Sequence, residues 1–337
     1  MSVRTRSAAT AVAVVVGLSG VSCGSADGGQ AGVAGVDGRL RVATTVAPIT
    51  SIVAGIVGDR ADVEGVVPEG NDSHTFEPRP SVAELLSEAD VVYMNGLGLE
   101  EPTRALAEET LGAGAEIVEL GTRAISPDRY LYDASFPRDQ GRPNPHLWTD
   151  PTLARRYAEI VRDDMSARDP GNADHYAANY ATFDALVDDL DAAMRASFAT
   201  VPRRELLTYH DAYAYFAETY DWEVIGAIQV SEFEDPTPAE VADLIHQIEA
   251  RGVPAIFGSE VFPSPVLEQI GRETGVRYVD ELRDDDLPGE PGDPEHSWLG
   301  LMRFNYVTLT EALGGDASPL EALQLRPVPP DTARYPQ

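Results

Sequence analysis

The chain has 337 residues, 43% of them hydrophobic and 24% charged, an ordinary globular composition with length for roughly two domains. Arg supplies all 25 of its basic residues against 56 Asp and Glu, for a formal net charge of −31. So acidic a balance excludes binding to nucleic-acid phosphates through clustered cations and disfavours charge-driven docking on anionic lipid.

Residues 1–22 read as an export signal. Arg4 and Arg6 form a basic start, and Ala8 to Leu18 is an apolar run too short to persist as a membrane-spanning helix. Cys23, the single cysteine, follows Leu18-Ser19-Gly20-Val21-Ser22. This ending resembles a bacterial lipobox, where signal peptidase cuts before a Cys whose thiol carries diacylglycerol. It departs from that pattern in having Gly20 where Leu is usual. The expectation is an exported protein, lipid-anchored through Cys23 at the outer face of the cytoplasmic membrane. One cysteine excludes an internal disulfide framework. Residues 23–38 are Gly-rich and polar and read as a flexible tether. Residues 316–337 are Pro-rich and read as an extended or loose tail.

In chain order, strands are expected at 40–46, 61–67, 91–95 and 117–120, then at 206–209, 224–229, 255–258 and 276–279. Helical patterns alternate with them, at 49–57, 81–89, 103–111 and 238–251. Such alternation predicts an α/β fold with two lobes, each a mainly parallel four-stranded sheet flanked by helices. The lobes are expected at 39–170 and 201–315. Between them, residues 171–200 carry Tyr176, Tyr180, Phe183, Leu186, Leu190, Met194 and Phe198 at three- and four-residue spacing. That periodicity predicts one long helix acting as a stiff connector. Nucleotide-binding, serine-hydrolase and zinc-protease signatures are absent.

Six histidines remain to be ranked. His74 follows the strand at 61–67, and His210 follows the strand at 206–209. His146 lies just before Asp150-Pro151, a pattern that starts helices. Asp280 follows the strand expected at 276–279. Strand ends line the ligand crevice of parallel α/β sheets, so residues from both lobes can meet there. Three imidazoles and a carboxylate form a tetrahedral set suited to Zn²⁺, with Mn²⁺ as the harder alternative. Single histidines are usually idle. His175 and His246 read as surface residues on helices, and His296 reads as exposed in an acidic loop. Glu260 is held in reserve as a cleft or hinge group.

At these residues the sequence resembles the metal-binding solute-binding lipoproteins of bacterial zinc and manganese ABC importers. The likeness covers about residues 39–315. It rests on five segments in order: 74–78 (HTFEP), 95–100 (NGLGLE), 144–151 (NPHLWTDP), 209–216 (YHDAYAYF) and 279–282 (VDEL). The resemblance implies two α/β lobes joined by one rigid helix, with metal held between them by His74, His146, His210 and Asp280. It implies transport rather than catalysis, with an ABC permease and ATPase as partners and a monomeric binding protein. Relatives selective for manganese commonly carry Glu at the third position, so His210 favours zinc. Many zinc members also carry a His-rich loop before the second ligand, and residues 124–145 contain no His. Manganese or iron therefore remains the alternative cargo. A zinc hydrolase using the same four residues is the rival from another class. Asp211 and Glu77 are expected to support the imidazoles.

Overall fold

The computed structural model describes residues 38–133, 135–227, 237–259, 265–325 and 331–336. The expected export signal, Cys23, nearly all of the tether, and Glu260 lie outside the described residues. In the first lobe the order is β1 Leu40–Thr44, α1 Ala47–Val57, β2 Ala61–Gly65, α2 Pro80–Glu88, β3 Val91–Met94, α3 Glu101–Thr110, β4 Glu116–Glu119 and α4 Leu120–Ala124. Then come α5 Pro151–Arg168 and the long α6 Ala173–Phe198. The second lobe has β5 Glu205–Thr208, α7 Ala214–Tyr220, β6 Glu223–Ala227, α8 Pro238–Arg251, β7 Ala255–Ser259, α9 Pro265–Thr274 and β8 Arg277–Leu282. Helices α10 Trp298–Ala312 and α11 Ser318–Glu321 follow.

Among the described residues there are two four-stranded sheets, ordered β2-β1-β3-β4 and β6-β5-β7-β8, and every pairing is parallel. The two lobes thus repeat one topology. In each sheet the strand order reverses beside the first strand, the place where open α/β sheets leave a crevice at their carboxyl edge.

Strand alternation sorts side chains between layers. Val42, Val91 and Tyr93 join the core that includes α1, α5 and α6, while Ala43, Val92 and Met94 turn to α2 and α3. In the second lobe Leu206, Ala255 and Phe257 join the same main core, whereas Leu207 and Ile256 face α8 and α9. One continuous apolar core therefore runs through both lobes. Burial on both faces explains why these strands read as hydrophobic runs.

Helix α6 has 26 residues, a length of about 39 Å at the usual rise. Its buried positions Tyr176, Phe183, Val187, Leu190, Met194 and Phe198 form one stripe. The stripe packs against α1, α5, α10 and α11, so the helix is a spine shared by both lobes as well as a connector.

One expectation fails here. Strand β8 continues to Leu282, which places Asp280 inside the strand, exposed, rather than at its end. Part of the C-terminal tail, expected to be extended or loose, is extended and paired: Arg334 bridges Glu64 of β2. Among the described residues, no helix is long and apolar enough to cross a membrane.

Candidate metal centre

The loops at the carboxyl ends of β2 and β5, with the segment leading into α5, bring three imidazoles together. His146 Nε2 lies 3.1 Å from His74 Nε2 and 2.9 Å from His210 Nε2. One ligand nitrogen from each ring falls within 4.8 Å of the others. Two imidazole nitrogens about 2.0–2.1 Å from a tetrahedral ion would be about 3.3 Å apart, so a small adjustment admits a single ion.

Each ring is held by its own surroundings. In the β2–α2 loop the Asp72 carboxylate accepts from His74 N at 2.9 Å and from Thr75 Oγ1 at 2.8 Å. The ring of His74 is half-buried, 5.8 Å from that of Phe136. His146 is fully buried. Asn144 Oδ1 accepts from His146 N at 3.1 Å and lies 2.9 Å from His146 Nδ1. Asn144 cannot turn its amide round, because its Nδ2 donates to Asp133 Oδ2 at 3.0 Å and to the Asp211 carbonyl at 2.7 Å. An acceptor at Nδ1 requires the proton there, which leaves the Nε2 lone pair directed at the other two rings.

The approach to His146 is built from the 95–100 segment. Asn95 Nδ2 donates to the Pro145 carbonyl at 2.8 Å. The buried Glu100 carboxylate accepts from Asn95 N, Gly96 N and Thr45 Oγ1 at 2.8, 3.1 and 2.7 Å. After His146, Asp150 caps α5 by accepting from Thr152 N at 2.8 Å, with Pro151 at the first turn. Motifs far apart in sequence thus form one support for a single ring.

The carboxylate beside the rings is Asp284. Its Oδ2 is 3.4 Å from His210 Nε2, and its Oδ1 accepts from Ser259 Oγ at 2.8 Å. Both residues are buried. Asp280, four positions earlier, lies exposed within β8. The physical reason is register: with β8 ending at Leu282, the strand's carboxyl end presents Asp284 to the crevice. Asp285 and Asp286 continue across it, Asp285 Oδ2 accepting from Ser73 N at 2.9 Å and Asp286 from Gly70 N at 2.8 and 2.9 Å.

Burial lowers the pKa of His74 well below the ordinary value, helped by His210 and Arg142. Burial likewise lowers His146, with His210 and His74 adding to it. Both rings are therefore neutral donors at neutral pH. Burial pushes Asp284 up to about 7, Ser259 opposing and Asp72 and Asp286 reinforcing. A cation at the rings would reverse that shift by favouring the carboxylate form.

Of the other expected residues, His246 is exposed. His175 is partly exposed, 3.1 Å from Asn179 Nδ2. His296 is not exposed: its Nε2 lies 2.9 Å from Glu69 Oε1, and 1% of its side chain is accessible. Asp211 contributes its carbonyl through Asn144, while Glu77 is exposed. Sequence reasoning missed Asn144, Asp284, Phe136 and Arg142. Arg142, Phe136 and Gln140 line a cavity beside His74 of about 40 Å³, room for very few waters.

The sequence profile of the family described as zinc-uptake complex component A, periplasmic, matches residues 42–312. The chain belongs to this family. It is a metal-binding substrate-binding protein of the ABC-importer class, not an enzyme. A manganese-binding lipoprotein, MntA, of Halalkalibacterium halodurans is 28% identical over 305 residues, covering 90% of this chain and 97% of that protein. The iron-binding protein YfeA of Yersinia pestis is 26% identical, covering 82% and 87%. Among solved structures, the periplasmic zinc-binding protein TroA of Treponema pallidum superposes with a TM-score of 0.74 at 26% identity, covering 82% and 99%.

Proposed function

We propose that this protein captures Zn²⁺ outside the membrane and delivers it to an ABC permease with its ATPase. The ligands in this reading are His74, His146, His210 and Asp284. The observation that carries it is the convergence of three imidazole nitrogens beside a buried carboxylate. Three neutral nitrogen donors and one anionic oxygen suit zinc in a four-coordinate shell. Four protein ligands leave no open position of the kind a catalytic zinc keeps for water. Cys23 would carry the lipid that keeps a monomeric protein near its permease, and residues 23–38 would be the tether.

Manganese is the second reading. The name of the Halalkalibacterium halodurans relative favours it. Iron enters through the name of the Yersinia pestis relative. Competition between Zn²⁺ and Mn²⁺ on the wild type and on His210→Glu separates these. Zinc preference in the wild type, reduced by the substitution, supports the zinc reading. Manganese preference in the wild type overturns it.

Release requires that the four ligands part. With one core running through both lobes, wide hinge opening would break extensive packing. In this reading the motion is local to the loops bearing His74 and Asp284.

A further inference from the structure

Strand β2 is an edge of its sheet, and an open edge is a row of unpaired backbone groups. Here the C-terminal segment lies along it. Arg334 N donates to the Val63 carbonyl at 3.0 Å, and Gly65 N donates to the Arg334 carbonyl at 2.9 Å. Arg334 and Glu64 form a parallel bridge and a salt bridge of 2.5 Å. Ala333 and Tyr335 pack inward on the main core while Arg334 points out, the alternation of a strand. A side chain at Gly65 would meet Thr50 Oγ1 at 3.1 Å and Pro336 at 3.2 Å, so the fit is close.

The segment also reaches the loop that carries His74. Glu69 N donates to the Pro336 carbonyl at 3.1 Å. The Glu69 carboxylate lies 2.9 Å from His296 Nε2, and the His296 ring stands edge-on to Tyr335 at 4.5 Å. The next residues, Gly70 and Ser73, are held by Asp286 and Asp285, neighbours of Asp284. The tail, the His74 loop and the loop bearing Asp284 therefore brace one another.

We infer that residues 331–336 are a positioning strap: paired with β2, they hold the His74 loop in place and thereby slow escape of the bound metal. The kinetic half of this inference rests on the metal-binding reading above. The strap itself does not.

The test uses the full chain carrying Arg334→Pro, which removes the donor to Val63, and a second variant, Tyr335→Ala. Tyr335→Phe, which keeps the ring against His296 and loses the hydroxyl bond to Asp331 Oδ2 within the segment, is the conservative control. Hydrogen exchange of the metal-free proteins is read at the Gly65, Glu69, Gly70 and Ser73 amides. Zinc loss to excess chelator is followed in the loaded proteins. Loss of the Arg334–Val63 backbone bond, or of the Tyr335 ring from its place against His296, predicts release about three- to tenfold faster in Arg334→Pro and Tyr335→Ala. Exchange should quicken at all four amides, with Tyr335→Phe near wild type. Exchange faster at Gly65 alone, or release within twofold of wild type despite a lower melting temperature, overturns the strap. If Arg334→Pro fails to fold, Tyr335→Ala decides by the same readings. If the wild type binds no metal, the functional reading fails, and exchange at Gly70 and Ser73 alone decides whether the tail holds the loop.

Discussion

Asp284 Oδ2 lies 3.4 Å from His210 Nε2, joining the loop after β8 to the loop after β5. Burial raises this carboxyl to about 7, so in the metal-free protein it holds a proton through much of the mildly acidic range. In the proposed site a metal ion must displace that proton. Affinity should therefore fall by about tenfold per pH unit below pH 7, with close to one proton released per ion bound at pH 6. The lowered pKa values of His74 and His146 postpone their own competition to more acidic solution. Calorimetric metal titrations at several pH values, in buffers of different ionisation enthalpy, give the proton count directly.

Metal-free stability should move the other way over part of the range. Glu100 and Asp284 are both raised to about 7 by burial. Raised acids bind more protons folded than unfolded, so they make stability fall as pH rises from their unfolded pKa towards and past 7. Between pH 8 and 6.5 the two together should return about 1–2 kcal/mol as they protonate. Below about pH 6.5 the depressed histidines oppose this, because the unfolded chain then binds the extra protons. Denaturant titrations of the metal-free protein across this range should show stability rising from pH 8 to 6.5. A flat or opposite trend contradicts the assignment of these two carboxyls.

Asn144 Oδ1 lies 2.9 Å from Nδ1 of His146, one of the proposed metal ligands. Replacing Asn144 with Ala frees the ring to choose the other tautomer and removes the side-chain donor to Asp133 Oδ2. Loss of such outer partners typically costs about 10–100-fold in metal affinity. Chelator competition on Asn144→Ala, with circular dichroism confirming the fold, measures it.

The layering of the fold was legible because parallel strands buried on both faces leave short apolar runs, and α6 carries an unbroken stripe from Tyr176 to Phe198. His74, His146 and His210 were legible from their places at strand and helix ends. The carboxylate that lies beside them was not. Val276–Val279 reads as a complete strand, but β8 runs to Leu282, and this shift moves the crevice from Asp280 to Asp284. Three consecutive aspartates ordinarily signal a solvated loop. Their burial depends on Ser73 N and Gly70 N, donors more than 200 positions away that no local pattern reveals. His296 misled for the same reason, since its partner Glu69 lies in the first lobe. The tail's Pro content pointed to an extended chain, but not to the pairing of Ala333 to Tyr335 with an edge strand.

The most direct measurement is stoichiometric zinc titration against a competing chelator on the wild type, Asp284→Ala, Asp280→Ala and the His74→Ala, His146→Ala double variant. Four converging ligands predict one ion per chain. They also predict affinity reduced by about 100-fold or more in Asp284→Ala, abolished in the double variant, and within twofold of wild type in Asp280→Ala. A wild-type affinity no greater than that of the double variant, or a loss in Asp280→Ala that Asp284→Ala does not share, contradicts the account.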